Sequence, residues 1–328
     1  MFANVHDDRS LEVAMAVEGN VAPPSRAFED IYAHRMREAD VWLQFYTVGG
    51  DAERFSGNVD CTAGTYRRLG IAWSGLPEDF VIVQSRDDLS SVQRKERRGV
   101  VLTVEGAAPI GHDRATLENF YRLGLRSVCL TWFRANQAGD GVGEPRGGGL
   151  TNFGQRLISM LDELGIVIDI SQCAERTARE VLEVSSRAVI ASHSNAAAVH
   201  PHARNLPDDI IREIGARGGV VGLTTYPAHV GPAPVGVDKF AEHVSHVCDI
   251  AGEGAAALGL NIMASSDAVE RNFLGPAGIE MTSLHLPGVG DLDGLPLLVD
   301  ALARQGLSTQ AIEAVCSGNA FRALGQVL

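Results

Sequence analysis

Residues 99–106, GVVLTVEG, carry the pattern that decides the fold. The apolar residues of this stretch are consecutive rather than alternating, which is typical of a strand buried on both faces of a parallel sheet. Similar runs occur at residues 41–48, 127–131, 166–170, 188–192 and 219–224, with fainter ones at 13–18 and 256–264. The sequence therefore predicts a parallel sheet built from these runs.

Amphipathic segments separate the strands. Apolar residues recur three or four positions apart, as on a helix with one buried face, at residues 114–123, 153–164, 173–184, 208–216 and 239–251. Alternating strands and helices over this length predict an α/β protein with a (β/α)₈ barrel. No linker or internal repeat interrupts the pattern, so we expect a single domain over residues 1–328. A doubly wound sheet is disfavoured because no GxGxxG follows the first predicted strand, and the glycine triplet at 147–149 lacks the Lys-Ser or Lys-Thr of a phosphate loop.

Composition narrows the class of partner. The chain has 28 lysine and arginine residues against 41 aspartate and glutamate residues, a net charge of −13. Such an acidic surface repels nucleic acid and anionic membranes, so a small-molecule substrate is the expected partner. The five cysteines show no CxxC spacing, the first ten residues are polar, and no apolar run is long enough to span a membrane. These features predict a cytoplasmic protein with reduced thiols.

Polar residues follow the predicted strands, where the active site of a parallel barrel lies. Glu105, His193 and Asp267 are the candidate catalytic residues, as proton carriers or metal ligands, although Asp267 could instead cap a loop. The candidate substrate-binding residues are Asn20, Trp132, Gln172, Arg204 and Asn205.

Two histidines on a helix have an alternative role. His243 and His246 are three residues apart, a spacing that suits metal ligands. We expect them to be structural, because their helix belongs to the outer ring of the barrel.

Several motifs resemble the renal (membrane) dipeptidase family of amidohydrolase-like metal-dependent barrels over nearly the whole length. They are VEGA at 104–107, NFYRLGLRSVCLT at 119–131, GLTNFG at 149–154, LDELGIVIDIS at 161–171, ASHSN at 191–195, ARNLPDDI at 203–210, EHVSHV at 242–247, SSD at 265–267 and SGNAFRAL at 317–324. In that family a His-x-Asp pair, a bridging Glu and two later His residues hold two zinc ions. The resemblance implies that Glu105 is the bridging ligand, His193 the last histidine, Arg204 the group that binds the substrate carboxylate and Asp267 a proton carrier. A homodimer is expected by the same resemblance.

Departures from the family pattern indicate a degenerate metal site. With the first strand at residues 13–18, the His-x-Asp position reads Asn20-Val21-Ala22, while Gln172 and Trp132 replace two further histidines. Neutral amides are poor zinc ligands, and only Glu105 and His193 remain as residual candidates.

The leading hypothesis is therefore an enzyme without a cofactor. Glu105, His193 and Asp267 would carry out metal-independent acid–base chemistry (hydrolysis, elimination, isomerisation or decarboxylation) on a small carboxylate-bearing substrate. The alternatives are a zinc-dependent dipeptidase with an altered or single-metal site, and a non-catalytic small-molecule-binding protein.

Overall fold

The computed structural model describes residues 1–51, 60–262 and 284–328. Within these ranges the strands are β1 (Phe2–Asn4), β2 (Val41–Gly50), β3 (Phe80–Ile82), β4 (Arg98–Glu105), β5 (Leu125–Cys129), β6 (Val167–Asp169), β7 (Val189–Ile190), β8 (Val221–Leu223) and β9 (Ala256–Leu258). All their pairings are parallel.

Helices follow most of the strands. They are α1 (Arg9–Glu18), α2 (Pro24–Phe28), α3 (His34–Glu38), α4 (Cys61–Gly75), α5 (Arg86–Gln93), α6 (Arg114–Arg122), α7 (Asn152–Leu164), α8 (Glu175–Val184), α9 (Asp208–Ala216), α10 (Pro227–Val230), α11 (Val237–Ala251), α12 (Leu295–Arg304), α13 (Thr309–Glu313) and α14 (Asn319–Val327). In the described ranges, none of them combines the length and the apolar character that crossing a bilayer requires.

The sheet closes on itself into a barrel. Its strands run in the order β7-β6-β5-β4-β2-β1-β9-β8, and β3 pairs with β4 outside this path. The two ends of the path meet where Ala191, just after β7, bridges Val221 of β8 in parallel. The predicted (β/α)₈ barrel is confirmed.

The first strand differs from the sequence prediction. Residues 13–18 belong to α1, and the strand that begins the barrel is β1, of which Asn4 pairs with both β2 and β9. An apolar run without a clear period cannot distinguish a buried strand from a buried helix, and here Val13 and Ala14 pack in the core as helical residues. The prediction of a strand at 13–18 was wrong.

Alternation along β4 directs Glu105 into the barrel. Val100, Leu102 and Val104 belong to the large core that includes the surrounding helices, whereas Val101 packs in a second cluster with Leu43 and Phe321. Successive side chains of a strand point to opposite faces, so Glu105 shares the face of Val101. A buried carboxylate therefore stands at the carboxyl end of the barrel.

Candidate metal centre

His6 and Asp8 lie immediately after β1, at the carboxyl end of the first strand. Residues 6–8 thus provide a His-x-Asp sequence at the position that the sequence prediction assigned to Asn20. Asn20 itself is exposed beyond the end of α1, with a left-handed φ of 56°, and it is not among the described residues that line the cavity discussed below. The structure therefore places His6 and Asp8, and not Asn20, where a His-x-Asp pair after the first strand is expected.

Asp7 points away from this pair and anchors it. The guanidinium of Arg9, which is fully buried, donates to both carboxylate oxygens of Asp7, with Nη2 3.0 Å from Oδ2. Arg9 Nη1 also donates to Asp291 Oδ1 at 2.8 Å. The residue between His6 and Asp8 is therefore fixed by a buried ion pair.

Two histidines converge on one oxygen of Glu105, and Asp8 lies beside one of them. His6 Nε2 lies 3.6 Å from Asp8 Oδ1 and 3.8 Å from Glu105 Oε1, and His193 Nε2 lies 3.3 Å from the same Glu105 oxygen. The rings of His6 and His193 are stacked with centroids 3.7 Å apart. Two donors that bind one tetrahedral zinc at about 2.0–2.1 Å are about 3.3 Å apart, so these spacings are close to those of a ligand set.

The chemistry of these donors fits a divalent metal. Imidazole nitrogens and carboxylate oxygens are the ligands that zinc takes from histidine and acidic residues. His6, Glu105 and His193 are buried, and their donor atoms all lie within 4.8 Å of one another. Among the described residues, the buried Nε2 of His6 has no hydrogen-bond partner. The structure thus contains a candidate metal-binding group of His6, Glu105 and His193. The sequence prediction retained only Glu105 and His193 as candidate ligands.

A hydroxyl and a carboxylate fix the tautomer of His193. Ser192 Oγ lies 2.5 Å from Asp169 Oδ2 and 2.8 Å from His193 Nδ1. Since a carboxylate only accepts, the single Ser192 proton goes to Asp169, and Ser192 Oγ accepts from His193 Nδ1–H. The lone pair of His193 Nε2 therefore faces Glu105. Such partners behind a histidine orient it as a ligand or base.

Gln172 reaches the same place from the end of β6. Its backbone has a left-handed φ of 66°, and its carbonyl oxygen accepts a hydrogen bond from Val142 N at 2.7 Å. Its Nε2 donates to Glu105 Oε1 and lies 3.2 Å from His193 Nε2. The amide of Gln172 thus stands between the two residues.

A cavity of about 490 Å³ opens next to these donors. Its lining includes Asp8, Glu105, Gln172 and His193 together with Leu11, Trp132, Phe133, His202, Arg204, Tyr226, Ala228, His229 and Asn261. The cavity therefore joins the metal-binding group to a wall of aromatic residues and one arginine.

Arg204 is the cation of this cavity. It is 9% exposed, and Nη2 donates to the backbone oxygen of His193 at 3.3 Å. Burial lowers the pKa of Arg204 to about 10, against the opposing effect of Cys129, Asp169 and Cys173. It remains charged at neutral pH and forms no ion pair with any residue in the described ranges. A buried guanidinium with no ion-pair partner in these ranges, next to a cavity, is suited to a carboxylate ligand.

Residues 6–328 match the family model described as membrane dipeptidase, peptidase family M19. The chain belongs to this family. The resemblance that the sequence motifs indicated is confirmed, and membership supports the prediction of a hydrolase.

Curated relatives include dipeptidase aclJ of Aspergillus oryzae, which is 29% identical over 89% of this chain and 69% of its own length. Dipeptidase 3 of Rattus norvegicus is 28% identical over 77% of this chain and 49% of its own length. The chain spans 60% or less of the length of three of the curated relatives that it matches.

Solved structures of the same fold include a metallopeptidase from Rhodobacter sphaeroides bound to a phosphinate mimic of L-Ala-D-Ala. It superposes with a TM-score of 0.83 at 21% identity and covers 100% of this chain and 99% of its own. The probable dipeptidase PvdM from Pseudomonas aeruginosa gives a TM-score of 0.76 at 17% identity, over 90% and 88% of the two chains. At these identities the likeness shows the dipeptidase-like barrel.

Other predicted site residues have different surroundings. The side chain of Trp132 lines the cavity, but Asn205 does not, because its Nδ2 donates to the backbone oxygens of His200 and His229, both at 2.8 Å. Asn205 thus ties two loops together. Asp267 lies outside the described residues, so its predicted role stays a prediction.

Asp51 is a positioning residue that the sequence prediction missed. Its carboxylate accepts from Ala108 N at 2.9 Å, from Trp132 N at 3.0 Å and from Asn136 Nδ2. Gly106 has a φ of 103°, and a Cβ there would lie 2.2 Å from Asp51 Cγ. Asp51 therefore joins the turn after Glu105 to the loop that carries Trp132. No motif in the sequence signals it, since the loops it joins are distant along the chain.

The two histidines of α11 lie outside the metal-binding group. His243 accepts from Ala196 N at 3.1 Å and lies 2.9 Å from Val230 O, and His246 lies 2.8 Å from Asp208. His243 therefore connects α11 to the loop that follows His193. These contacts agree with the structural role expected for both residues.

Burial makes His243 a source of acid sensitivity. Desolvation lowers its pKa from an ordinary 6.5 to about 4, although Val230 O opposes this. Between pH 6.5 and 4, His243 is protonated in the unfolded chain but neutral in the folded chain. The free energy of unfolding therefore decreases as the pH falls through this range, by up to about 3 kcal/mol. We expect His243→Gln to flatten this dependence, as measured by urea unfolding at pH 7.5, 6, 5 and 4. Parallel stability curves for the variant and the wild type would contradict the assignment.

Proposed function

We propose that the chain is a metal-dependent hydrolase that cleaves the amide bond of a small dipeptide-like substrate carrying a free carboxylate. The observation that carries this proposal is the cluster of His6, Glu105 and His193, with Asp8 beside His6, next to a cavity that also contains Arg204. This corresponds to the zinc-dependent alternative considered from the sequence.

The metal-independent hypothesis rested on the absence of both members of the His-x-Asp pair. His6 and Asp8 offer such a pair after β1, which favours the metal-dependent alternative. The remaining argument for it is Gln172, which replaces one ligand and not the whole set. Proton transfer by Glu105 and His193 without a metal is therefore the second candidate, and the experiment below separates the two.

Each group has a defined task in this proposal. His6, Asp8 and Glu105 would hold the ion. When bound, zinc supplies Lewis-acid polarisation of the scissile carbonyl and a water nucleophile near neutral pH. Arg204 binds and orients the substrate carboxylate.

His193 and the aromatic wall complete the site. Ser192 and Asp169 hold His193 with Nε2 toward the cavity, where this atom can ligate or accept a proton. Trp132 and Phe133 line part of the cavity and favour an apolar or flat substituent on the substrate. Phe133 is 46% exposed and has a left-handed φ of 60°. An exposed bulky residue in this costly conformation supports a role in binding.

Metal removal tests the proposal. Protein purified without chelator is expected to hold tightly bound zinc or another divalent ion, measured by elemental analysis. It should hydrolyse members of a dipeptide panel that includes L-Ala-D-Ala. Chelation should abolish turnover, and added metal should restore it.

Two outcomes would contradict the proposal. Turnover that survives complete metal removal would support the metal-independent reaction instead. Binding of panel members with no turnover at any metal loading would support the non-catalytic binding protein.

A further inference from the structure

We infer that this chain binds one metal ion rather than two, and that the side-chain amide of Gln172 occupies the place of the second ion between Glu105 and His193. This inference rests on the proposed metal dependence and specifies the stoichiometry of the site. It concerns a departure from the binuclear pattern that the family resemblance implies.

The two histidines contact the same oxygen of Glu105 but differ in their other neighbours. His6 Nε2 lies 3.8 Å from Glu105 Oε1 and 3.6 Å from Asp8 Oδ1. Together they offer one imidazole and two carboxylates, which is a three-donor set whose two negative charges offset a divalent cation. His193 Nε2 lies 3.3 Å from Glu105 Oε1 and has Gln172 rather than a carboxylate as its other neighbour among the described residues. Within the described ranges, the ligands for a second ion next to His193 would be Glu105, shared with the first ion, and His193.

Gln172 fills the gap between those two ligands. Its Nε2 contacts Glu105 Oε1 and lies 3.2 Å from His193 Nε2. A cation bridging the same two atoms would need the same space. An amide nitrogen has no lone pair to offer a metal, so Gln172 in this position competes with a second ion and does not ligate it.

Neighbouring hydrogen bonds determine which end of the amide faces the gap. Glu105 presents a carboxylate oxygen, and His193 presents the lone pair of Nε2 because its Nδ1–H is directed to Ser192. Two acceptors require a donor between them, so the NH₂ group and not the carbonyl oxygen satisfies the site. The amide thus supplies two hydrogen bonds where a metal would supply two coordinate bonds.

The backbone holds Gln172 in this position. Its left-handed φ of 66° is uncommon for a residue with a Cβ, and Val142 N fixes its carbonyl group at 2.7 Å. Gln172 is 8% exposed. The side chain is therefore directed into the site by the fold, and it does not reach the site from a mobile surface loop.

Counting metal ions tests the inference independently of turnover. Chelated protein is titrated with zinc and then freed of loose metal, and elemental analysis gives the ratio per chain. We expect one ion per wild-type chain and two per chain for Gln172→His, which adds an imidazole on the His193 side. Gln172→Glu, an isosteric change that adds a carboxylate, is also expected to bind two. Gln137→His is the matched control, because Gln137 donates to the backbone oxygens of Ala107 and Gly111 and not to the metal-binding group.

Manganese provides a second readout that needs no variant. Manganese-loaded wild type should give the electron paramagnetic resonance spectrum of isolated ions, whereas Gln172→His and Gln172→Glu should give that of coupled pairs. Two ions or a coupled spectrum in the wild type would overturn the inference while leaving metal-dependent hydrolysis intact. A single ion in both folded variants would overturn the role assigned to Gln172. The absence of any tightly bound ion in the wild type would overturn the proposed function together with this inference.

Discussion

Replacement of Glu105 by glutamine is expected to release the bound metal and to lower kcat/KM by about 10³-fold or more. Glu105 Oε1 lies 3.8 Å from His6 Nε2 and 3.3 Å from His193 Nε2. The substitution removes a ligand charge without changing the size of the side chain, and a lost metal contribution of about 4 kcal/mol corresponds to this factor. Metal content by elemental analysis and steady-state hydrolysis of the best dipeptide substrate measure the two effects.

A buried carboxylate elsewhere provides the control. Asp162 of α7 is 8% exposed and accepts from Ser185 Oγ at 3.0 Å, away from the cavity. Asp162→Asn should lower the free energy of unfolding but leave metal content and kcat/KM unchanged. A folded Glu105→Gln variant that keeps its metal and its activity would remove Glu105 from the ligand set.

Strand positions were predictable where a strand is a long apolar run. Residues 99–104 and 41–48 lie within β4 and β2, because strands buried on both faces need consecutive apolar side chains. The rule that polar residues cluster at the carboxyl ends of barrel strands identified Glu105 and His193, and the family resemblance identified Arg204; all three line one cavity. These residues share the site because the barrel brings distant loops together.

The first strand escaped prediction because it is too short to show a pattern. β1 has three residues, of which Ala3 is the buried apolar one, while the longer apolar run that follows is helix α1. Because the strand was assigned to residues 13–18, the predicted position of the His-x-Asp pair lay more than ten residues after His6. The signal that could have found it was the His-x-Asp spacing of His6 and Asp8, which is visible in the sequence and independent of any strand assignment.

The role of Gln172 depends on geometry that no sequence pattern encodes. The sequence shows a glutamine where the family pattern has a histidine, and this predicts a weakened ligand set. It does not show the left-handed backbone or the Asp169–Ser192–His193 chain that turns a lone pair toward the amide. Those features arise from the packing of the ends of two neighbouring strands, β6 and β7.

Arg204→Gln is expected to abolish the preference for a free carboxylate. A charged, bidentate hydrogen bond contributes about 3 kcal/mol, so the wild type should favour a dipeptide over its C-terminal amide by about a hundredfold in KM. The variant should raise KM for the dipeptide by the same factor and leave KM for the amide unchanged, with a smaller effect on kcat. Steady-state kinetics on this matched pair of substrates measure the result.

A second buried arginine separates charge recognition from loss of stability. Arg126 is 5% exposed, and its guanidinium donates to the backbone oxygens of Gln84, Tyr121 and Leu125, outside the cavity. Arg126→Gln should destabilise the fold but keep the preference for the free carboxylate, because the group that recognises the anion is intact. If Arg204→Gln still prefers the dipeptide over its amide by a hundredfold, another cation must bind the carboxylate, and the buried guanidinium at the cavity wall has a purely structural role.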